Sequence, residues 1–236
     1  MPRGKTASDS KVRRSDSAAD GWAGRSASSA SALGLTDDAC ARARRLLMRR
    51  DPKLAELMKR IGPCRISTSH RFEPFAGLVK VILSQQLSSK AAETIYNRVV
   101  ALAGGADALS PASLLALDPA ALRTAGVSWP KIGYLRDLAE RVHDGRLDLA
   151  HLESQSDDEV VDCIVAVKGL GRWSAEMFLM FRLNRPDVFP MGDLGIVKGM
   201  QKLFEMKRRP AERTMERLAK PWRPYRSIAA WYLWRI

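Results

Sequence analysis

The four residues Lys168-Gly169-Leu170-Gly171 constrain this chain more than any other stretch. Two glycines in so short a run imply a tight turn, because glycine tolerates left-handed backbone at little cost. Upstream, Ser156-Asp157-Asp158-Glu159 has the form of a capping box with an acidic first turn, and Val160, Val161, Ile164 and Val165 recur at helical spacing. Downstream, Trp173, Met177, Phe178 and Phe181 repeat that spacing. The expectation is helix, hairpin, helix. Backbone N–H groups at such a turn, helped by the positive end of the second helix's dipole, can hold a phosphate oxygen, with Lys168 and Arg172 beside it. Taken alone, the turn reads first as a plain connector between packed helices.

What changes that reading is Asp193, which follows Pro190-Met191-Gly192 and precedes Leu194, Ile196 and Val197 at the start of a third helical pattern. An Asp there is ordinarily a cap. This one lies 22 positions beyond Gly171, one helix and one connector away, so the chain could return it to the side of the hairpin. A carboxylate beside a nucleic-acid backbone is repelled unless positive charge develops nearby. Cleavage of an N-glycosidic bond creates such charge, since C1′ becomes oxocarbenium-like as the base departs.

The stretches VKGLGRWSAEM, FPMGDLGIVKG, VILSQQLSSKAA and KPWRPYRSIAAWYLW together resemble the helix-hairpin-helix (HhH-GPD) DNA glycosylase superfamily, in particular its alkylpurine branch of the DNA-3-methyladenine glycosylase II type. The resemblance runs from about Thr36 to Ile236. It implies an all-α fold of two helical subdomains with the DNA and base cleft between them. It also implies a domain over residues 35–236, preceded by a tail over residues 1–34. By the same resemblance Asp193 is the catalytic carboxylate, and Lys168, Gly169, Leu170, Gly171 and Arg172 bind the DNA strand. Trp173 and Trp234 would line the base pocket, with Met177 and Leu194 where some relatives have tyrosines, which makes this pocket less aromatic. In related glycosylases the residue after the glutamine at the VILSQQLSS break fills the hole left by the extracted nucleotide. Gln86, Leu87 and Ser88 form that element here, with Leu87 ranked ahead of Ser88.

Composition agrees with these expectations. Lys and Arg number 39 against 26 Asp and Glu, a formal charge of +13 that favours a polyanionic partner. A hydrophobic content of 46% over 236 residues supplies a real core, and no apolar run approaches a membrane span. Cys40, Cys64 and Cys163 are far apart in sequence and odd in number, which argues against a disulfide framework and a cysteine-held cluster. His70, His143 and His151 are too scattered to suggest a metal site. Family members tend to bind a monovalent cation through hairpin carbonyls, and no cofactor is expected. Residues 1–34, rich in Ser and Ala with six basic against three acidic side chains, read as a disordered tail with weak, salt-sensitive attraction to DNA and no secretory signal. The Arg- and Ala-rich composition points first to a bacterial cytoplasm, on the nucleoid, and second to a nucleus.

The rest of the chain is punctuated as short helices. Thr36-Asp37-Asp38, Asp51-Pro52, Ser110-Pro111 and Asp118-Pro119 are starts, and Gly62-Pro63, Gly126 and Gly145 are stops. Phe75 to Leu83 forms an apolar helix with Leu78, Val79, Ile82 and Leu83 inward, and Lys90 to about Ala103 the next. Trp129 opens a helix carrying Leu135, Leu138, Ala139 and Val142, and reads as core packing before it reads as a pocket wall. The segment Lys220 to Ser227, basic and aromatic together, suits contact with nucleic acid.

The expected reaction follows from the substrate. Methylation at N3 or N7 leaves a purine cationic and its glycosidic bond weak, so departure needs little acid catalysis. Bifunctional members place a lysine two residues after the second hairpin glycine, where this chain has Trp173. The expectation is therefore a monomeric, monofunctional glycosylase that releases 3-methyladenine and 7-methylguanine from duplex DNA and leaves an abasic site. The competing readings are a glycosylase for hypoxanthine, ethenoadenine or a mismatched base, and a non-catalytic helix-hairpin-helix DNA-binding protein.

Overall fold

Caps and prolines divide the chain into short helices much as the sequence implies. The computed structural model describes residues 35–66 and 73–236. The tail over residues 1–34 and His70 lie outside the described residues. The helices are α1 (Asp37–Arg50), α2 (Pro52–Ile61), α3 (Pro74–Ser84), α4 (Ser89–Leu102), α5 (Pro111–Ala116), α6 (Pro119–Thr124) and α7 (Trp129–His143). They continue with α8 (Asp157–Val165), α9 (Arg172–Phe181), α10 (Leu194–Leu203), α11 (Glu212–Ala219) and α12 (Arg226–Leu233). Among the described residues there is no strand, and no helix is long and apolar enough to cross a membrane.

Thr36, Asp51, Ser110 and Asp118 each accept a backbone N–H at the start of their helices, and Pro52, Pro111 and Pro119 occupy first-turn positions where no N–H is needed. The Ser156 capping box closes in both directions, with the Glu159 side chain taking the Ser156 N–H at 2.8 Å.

Helix packing sorts these elements into two halves. In one, α3 packs on α4, α7 and α9, with α5 and α6 against α7 and α8 against α9. In the other, the first two helices join the end of the chain: α1 packs on α2 and α12, and α10 on both α12 and α2. The inward faces of α3 and α7 are mainly apolar, with Leu78, Val79, Ile82, Leu135, Leu138 and Ala139 all buried. Between α10 and α12 the approach is so close that a Cβ on Gly199 would lie 2.6 Å from the Leu233 carbonyl oxygen. A ring stack joins the halves: Phe181 of α9 lies on Trp234 just past α12, centroids 5.7 Å apart.

Two tryptophans sit differently from the sequence expectation. Trp129 is not core: it is 59% exposed on the first turn of α7, because the inward positions of that helix begin at Ile132. Trp222 is the reverse. Its ring is fully buried between Phe189 and Phe204, and its indole N–H donates to Asp51 Oδ2 at 2.8 Å. The neighbouring Arg223 and Arg226 bind Asp187, so the segment from Lys220 to Ser227 has structural contacts as well as exposed basic side chains at Lys220 and Arg223. Cys40 and Cys64, far apart in sequence, come together in the fold as free thiols, and hydrogen bonding between them together with burial pushes the Cys64 thiol up.

Asp51 therefore holds two elements far apart in sequence, capping α2 through Oδ1 on Leu54 N–H and binding Trp222 through Oδ2. Replacing it by Ala removes the cap and leaves a buried indole N–H without a partner. Asp51→Ala is expected to lower unfolding free energy by about 2–4 kcal/mol in urea titration, with little change in the slope.

Candidate active site

Asp193 begins α10 as its N-cap, and Oδ1 accepts the Ile196 N–H at 2.9 Å. That bond fixes one oxygen over the helix start. Two indoles then converge on it. Trp234 Nε1 donates to Oδ1 at 2.8 Å, and Trp173 Nε1 donates to Oδ2 at 2.8 Å. All three donors are neutral, and among the described residues Asp193 takes part in no ion pair. The carboxylate is thus positioned without being neutralised. Gly195 permits this: a Cβ there would lie 2.6 Å from Trp234 Cδ1 and 3.0 Å from Asp193 Oδ1.

The two tryptophans come from opposite halves of the fold, Trp173 from the first turn of α9 and Trp234 from the end of α12. Trp173 is 38% exposed and Leu194, next to Asp193, is 61% exposed, so both stand open to solvent beside the carboxylate. Met177 does not join them at the surface. It is buried and, with Phe178 and Phe181, lines a separate recess of about 390 Å³ against Lys80 and Val81 of α3 and Ala92 of α4. Glu176 is also buried on α9; burial pushes its carboxyl up, with Arg172 pulling against that and the Asp193 charge adding to it.

The hairpin joins α8 to α9 as expected. Gly169 takes φ +78°, and a Cβ on it would sit 2.2 Å from the ring of Tyr134 on α7, so this glycine is demanded by both backbone and packing. Gly171 is different: it is extended, and nothing lies within 4 Å of where its Cβ would be. Leu170 turns its side chain into the core at 5% exposure, so it can offer only backbone to a ligand. Lys168 and Arg172 project outward, loosely paired with Asp137 (3.9 Å) and Glu176 (3.3 Å).

Sequence reasoning missed Asp137. This buried α7 carboxylate takes the Lys168 N–H at 2.9 Å and Arg141 Nε at 2.9 Å. Burial pushes its carboxyl up, but the Lys168 N–H and Arg141 outweigh it and hold the group below the usual carboxylate range. Its contribution to stability is therefore present above the ordinary carboxylate value and is lost as pH falls through the depressed one. The clue in the sequence is an acid lodged between Leu135 and Leu138 on an apolar face.

The turn between α3 and α4 holds the three remaining candidates. Gln86 adopts φ +57°, a left-handed conformation rare outside glycine, and lifts Leu87 to 42% exposure. Ser88 is committed elsewhere, its hydroxyl accepting the Ala91 N–H as the cap of α4. Among the described residues, no three His, Cys, Asp or Glu side chains cluster as a metal site. At the hairpin, Val167 O accepts the Leu170 N–H at 3.1 Å and Gly169 O accepts Gln85 Nε2 at 2.8 Å.

An all-α scaffold that sets a helix-hairpin-helix beside an un-neutralised carboxylate defines the class of helix-hairpin-helix DNA repair proteins. Comparison agrees: residues 79–224 match the model of the HhH-GPD superfamily base excision DNA repair proteins, and the chain belongs to that family. It is 34% identical over 187 residues to DNA-3-methyladenine glycosylase 1 of Schizosaccharomyces pombe, covering 78% of this chain and 82% of the relative. Among solved structures it resembles a DNA-3-methyladenine glycosidase from Bacillus halodurans, at 38% identity and a TM-score of 0.73, over 82% of this chain and 88% of that one. The S. pombe 3-methyladenine DNA glycosylase solved with abasic DNA gives 32% identity and a TM-score of 0.73, over 82% and 95%.

The two hairpin glycines should separate by experiment. Gly169→Ala forces a methyl into Tyr134 at positive φ and is expected to cost about 2–4 kcal/mol of stability. Gly171→Ala should move Tm by less than about 2 °C while weakening duplex binding by about tenfold, because its methyl enters the space open to a phosphate. Thermal melts alongside fluorescence-anisotropy titrations check both.

Proposed function

We propose that the protein is a monofunctional DNA glycosylase of base excision repair, which extracts alkylated purines such as 3-methyladenine and 7-methylguanine from duplex DNA and hydrolyses their glycosidic bond. The observation that carries this reading is Asp193, held by three neutral N–H donors and opposed by no cation. Asp51 is also held by neutral N–H donors, but it is buried and joins two elements of the fold, whereas Asp193 stands beside the exposed Trp173 and Leu194. A carboxylate left unpaired there, beside the hairpin, is placed to act on positive charge that a substrate supplies.

In the proposed mechanism the hairpin backbone from Lys168 to Arg172 grips a phosphate, and Leu87 enters the duplex to replace the stacking lost when the nucleotide swings out. The extruded base, already cationic, is attracted to the exposed face of Trp173 and to Trp234 by up to about 2 kcal/mol when desolvated. As the glycosidic bond lengthens, positive charge moves onto C1′ and the ring oxygen. Asp193 stabilises that charge and orients or deprotonates the attacking water. The hydroxide adds to C1′, the base leaves with the bonding electrons, and an abasic site remains. These steps call for water and no cofactor. The protein would act as a monomer wherever the cell keeps its DNA, on a bacterial nucleoid or in a nucleus.

Asp193→Asn tests the reading directly. Its amide would set a donor against the Trp173 N–H and remove the charge, so single-turnover release of 3-methyladenine is expected to fall by about 10²–10³-fold or more, with abasic-site affinity largely retained. Retained release would refute the assignment. A panel of duplexes carrying single defined lesions measures the substrate range.

The absence of strand cleavage has its own test. A lyase needs an amine to form a Schiff base with C1′, and the position two residues past Gly171 carries the indole of Trp173. Borohydride added during turnover should trap no protein–DNA adduct, and the product should stay uncut until alkali is added.

A further inference from the structure

The mechanism leaves unexplained a lysine that spends its charge on backbone carbonyls. Lys131, in the first turn of α7, donates through Nζ to Leu83 O at 2.8 Å and to Gln85 O at 2.7 Å. Those oxygens lie at the end of α3, where helix geometry leaves carbonyls without partners and gathers partial negative charge. The helix ends on Ser84, one residue before Gln85, and the chain then turns through Gln86 to Leu87. An ammonium placed there does more than cap a helix: it fixes the base of the turn that carries Leu87.

The same turn is tied to the hairpin. Gln85 offers its carbonyl to Lys131 and its side-chain amide to Gly169 O at 2.8 Å. Further along α7, Tyr134 packs under Gly169 and Asp137 binds the Lys168 N–H. Lys131, Tyr134 and Asp137 are spaced i, i+3, i+6, so they lie along one stripe of one helix. That stripe touches both loops that would meet DNA.

We propose that Lys131 is a positioning residue for base extraction: by bridging Leu83 O and Gln85 O it locks the Leu87 turn in register with the hairpin, so that gripping the strand and filling the vacated stack occur as one rigid event. The proposal rests on the glycosylase reading for its reaction but not for its geometry. Burial lowers the Lys131 ammonium from its ordinary value, which accords with a lysine committed inward to two carbonyls and not held out to solvent.

Lys131→Met keeps the aliphatic stem and removes the donors, and Lys131→Arg restores a cation able to reach two oxygens. With the full chain, single-turnover release of 3-methyladenine from fully paired duplex should fall by about 10–100-fold in Lys131→Met, whereas release from a lesion in a bulge, already unstacked, should change by less than about threefold. Lys131→Arg should recover part of the duplex rate. Equal losses on both substrates, or no loss on the duplex, would overturn the proposal.

A second measurement needs no bond cleavage. A 2-aminopurine beside an abasic site brightens when Leu87 disturbs its stack, and at saturating protein that enhancement should drop by half or more in Lys131→Met. Unchanged brightening would overturn the proposal. If the parent chain brightens the probe and Lys131→Met does not, yet no alkylated base is released by either, the alkylpurine reading fails while this one stands. Should Lys131→Met not fold, Gln85→Leu, which cuts the bond to Gly169 O, is held to the same two readouts and outcomes.

Discussion

The site depends on a carboxylate being satisfied without being cancelled. Oδ1 of Asp193 takes the Ile196 N–H and the Trp234 indole, and Oδ2 takes the Trp173 indole. Were any of these donors a guanidinium, the lone pairs would be filled equally well, but the field beyond the carboxylate would collapse. Neutral donors satisfy geometry and leave the charge to act on what approaches. The cost of holding an unpaired charge half-buried is met by the fold on either side. Ring stacking of Phe181 on Trp234 fixes one indole, and the α9 helix start fixes the other.

That arrangement explains why the two halves of the fold must meet where they do. Trp173 belongs to the half built on α3 and α7, whereas Asp193 and Trp234 belong to the half in which the first and last helices pack together. A small shift between the halves would lengthen the 2.8 Å bond from Trp173 to Oδ2 while leaving that from Trp234 intact. The close approach of Gly199 to Leu233 and of Gly195 to Trp234 ties α10 to α12, so Asp193 and Trp234 move as a body. The carboxylate is fixed to one half of the fold and is joined to the other through one hydrogen bond.

Features determined by neighbours in sequence were legible, and those determined by partners across the fold were not. Caps at Thr36, Asp51, Ser110, Asp118 and Ser156 lie where the residue types place them, because a cap's partner is two or three residues away. The hairpin was readable for the same reason. The second duty of Asp51, its bond to Trp222, spans 171 positions and has no local trace. Trp129 and Trp222 were misread in opposite directions, since an aromatic near a helix start or among arginines says nothing about which way it faces. Resemblance brought Trp173, Trp234 and Asp193 to attention together, yet it did not imply that the indole N–H groups are spent on the carboxylate. Lys131 was invisible because its partners are main-chain carbonyls 46 and 48 positions away.

Those spent N–H groups limit what the pocket can be. An indole N–H lies in the ring plane, so a tryptophan whose edge points at Asp193 must present its faces at right angles to that direction. A flat base stacked on such a face sits beside the carboxylate and not on top of it, which puts the sugar, one bond further on, nearer the charge. Trp234 has one face taken by Phe181, stacked at an interplanar angle of 28°, and so has at most one to offer. Trp173, 38% exposed, keeps more of its surface open. With Leu194 standing exposed beside Asp193 and Met177 buried in the core, the aromatic surface beside the carboxylate comes from Trp173 and Trp234 alone among the four candidate pocket residues. Open aromatic surface of this kind would attract a base by charge more than by shape. On the proposed reading, such a site favours bases that are already cationic, the same bases whose bonds need least help to break.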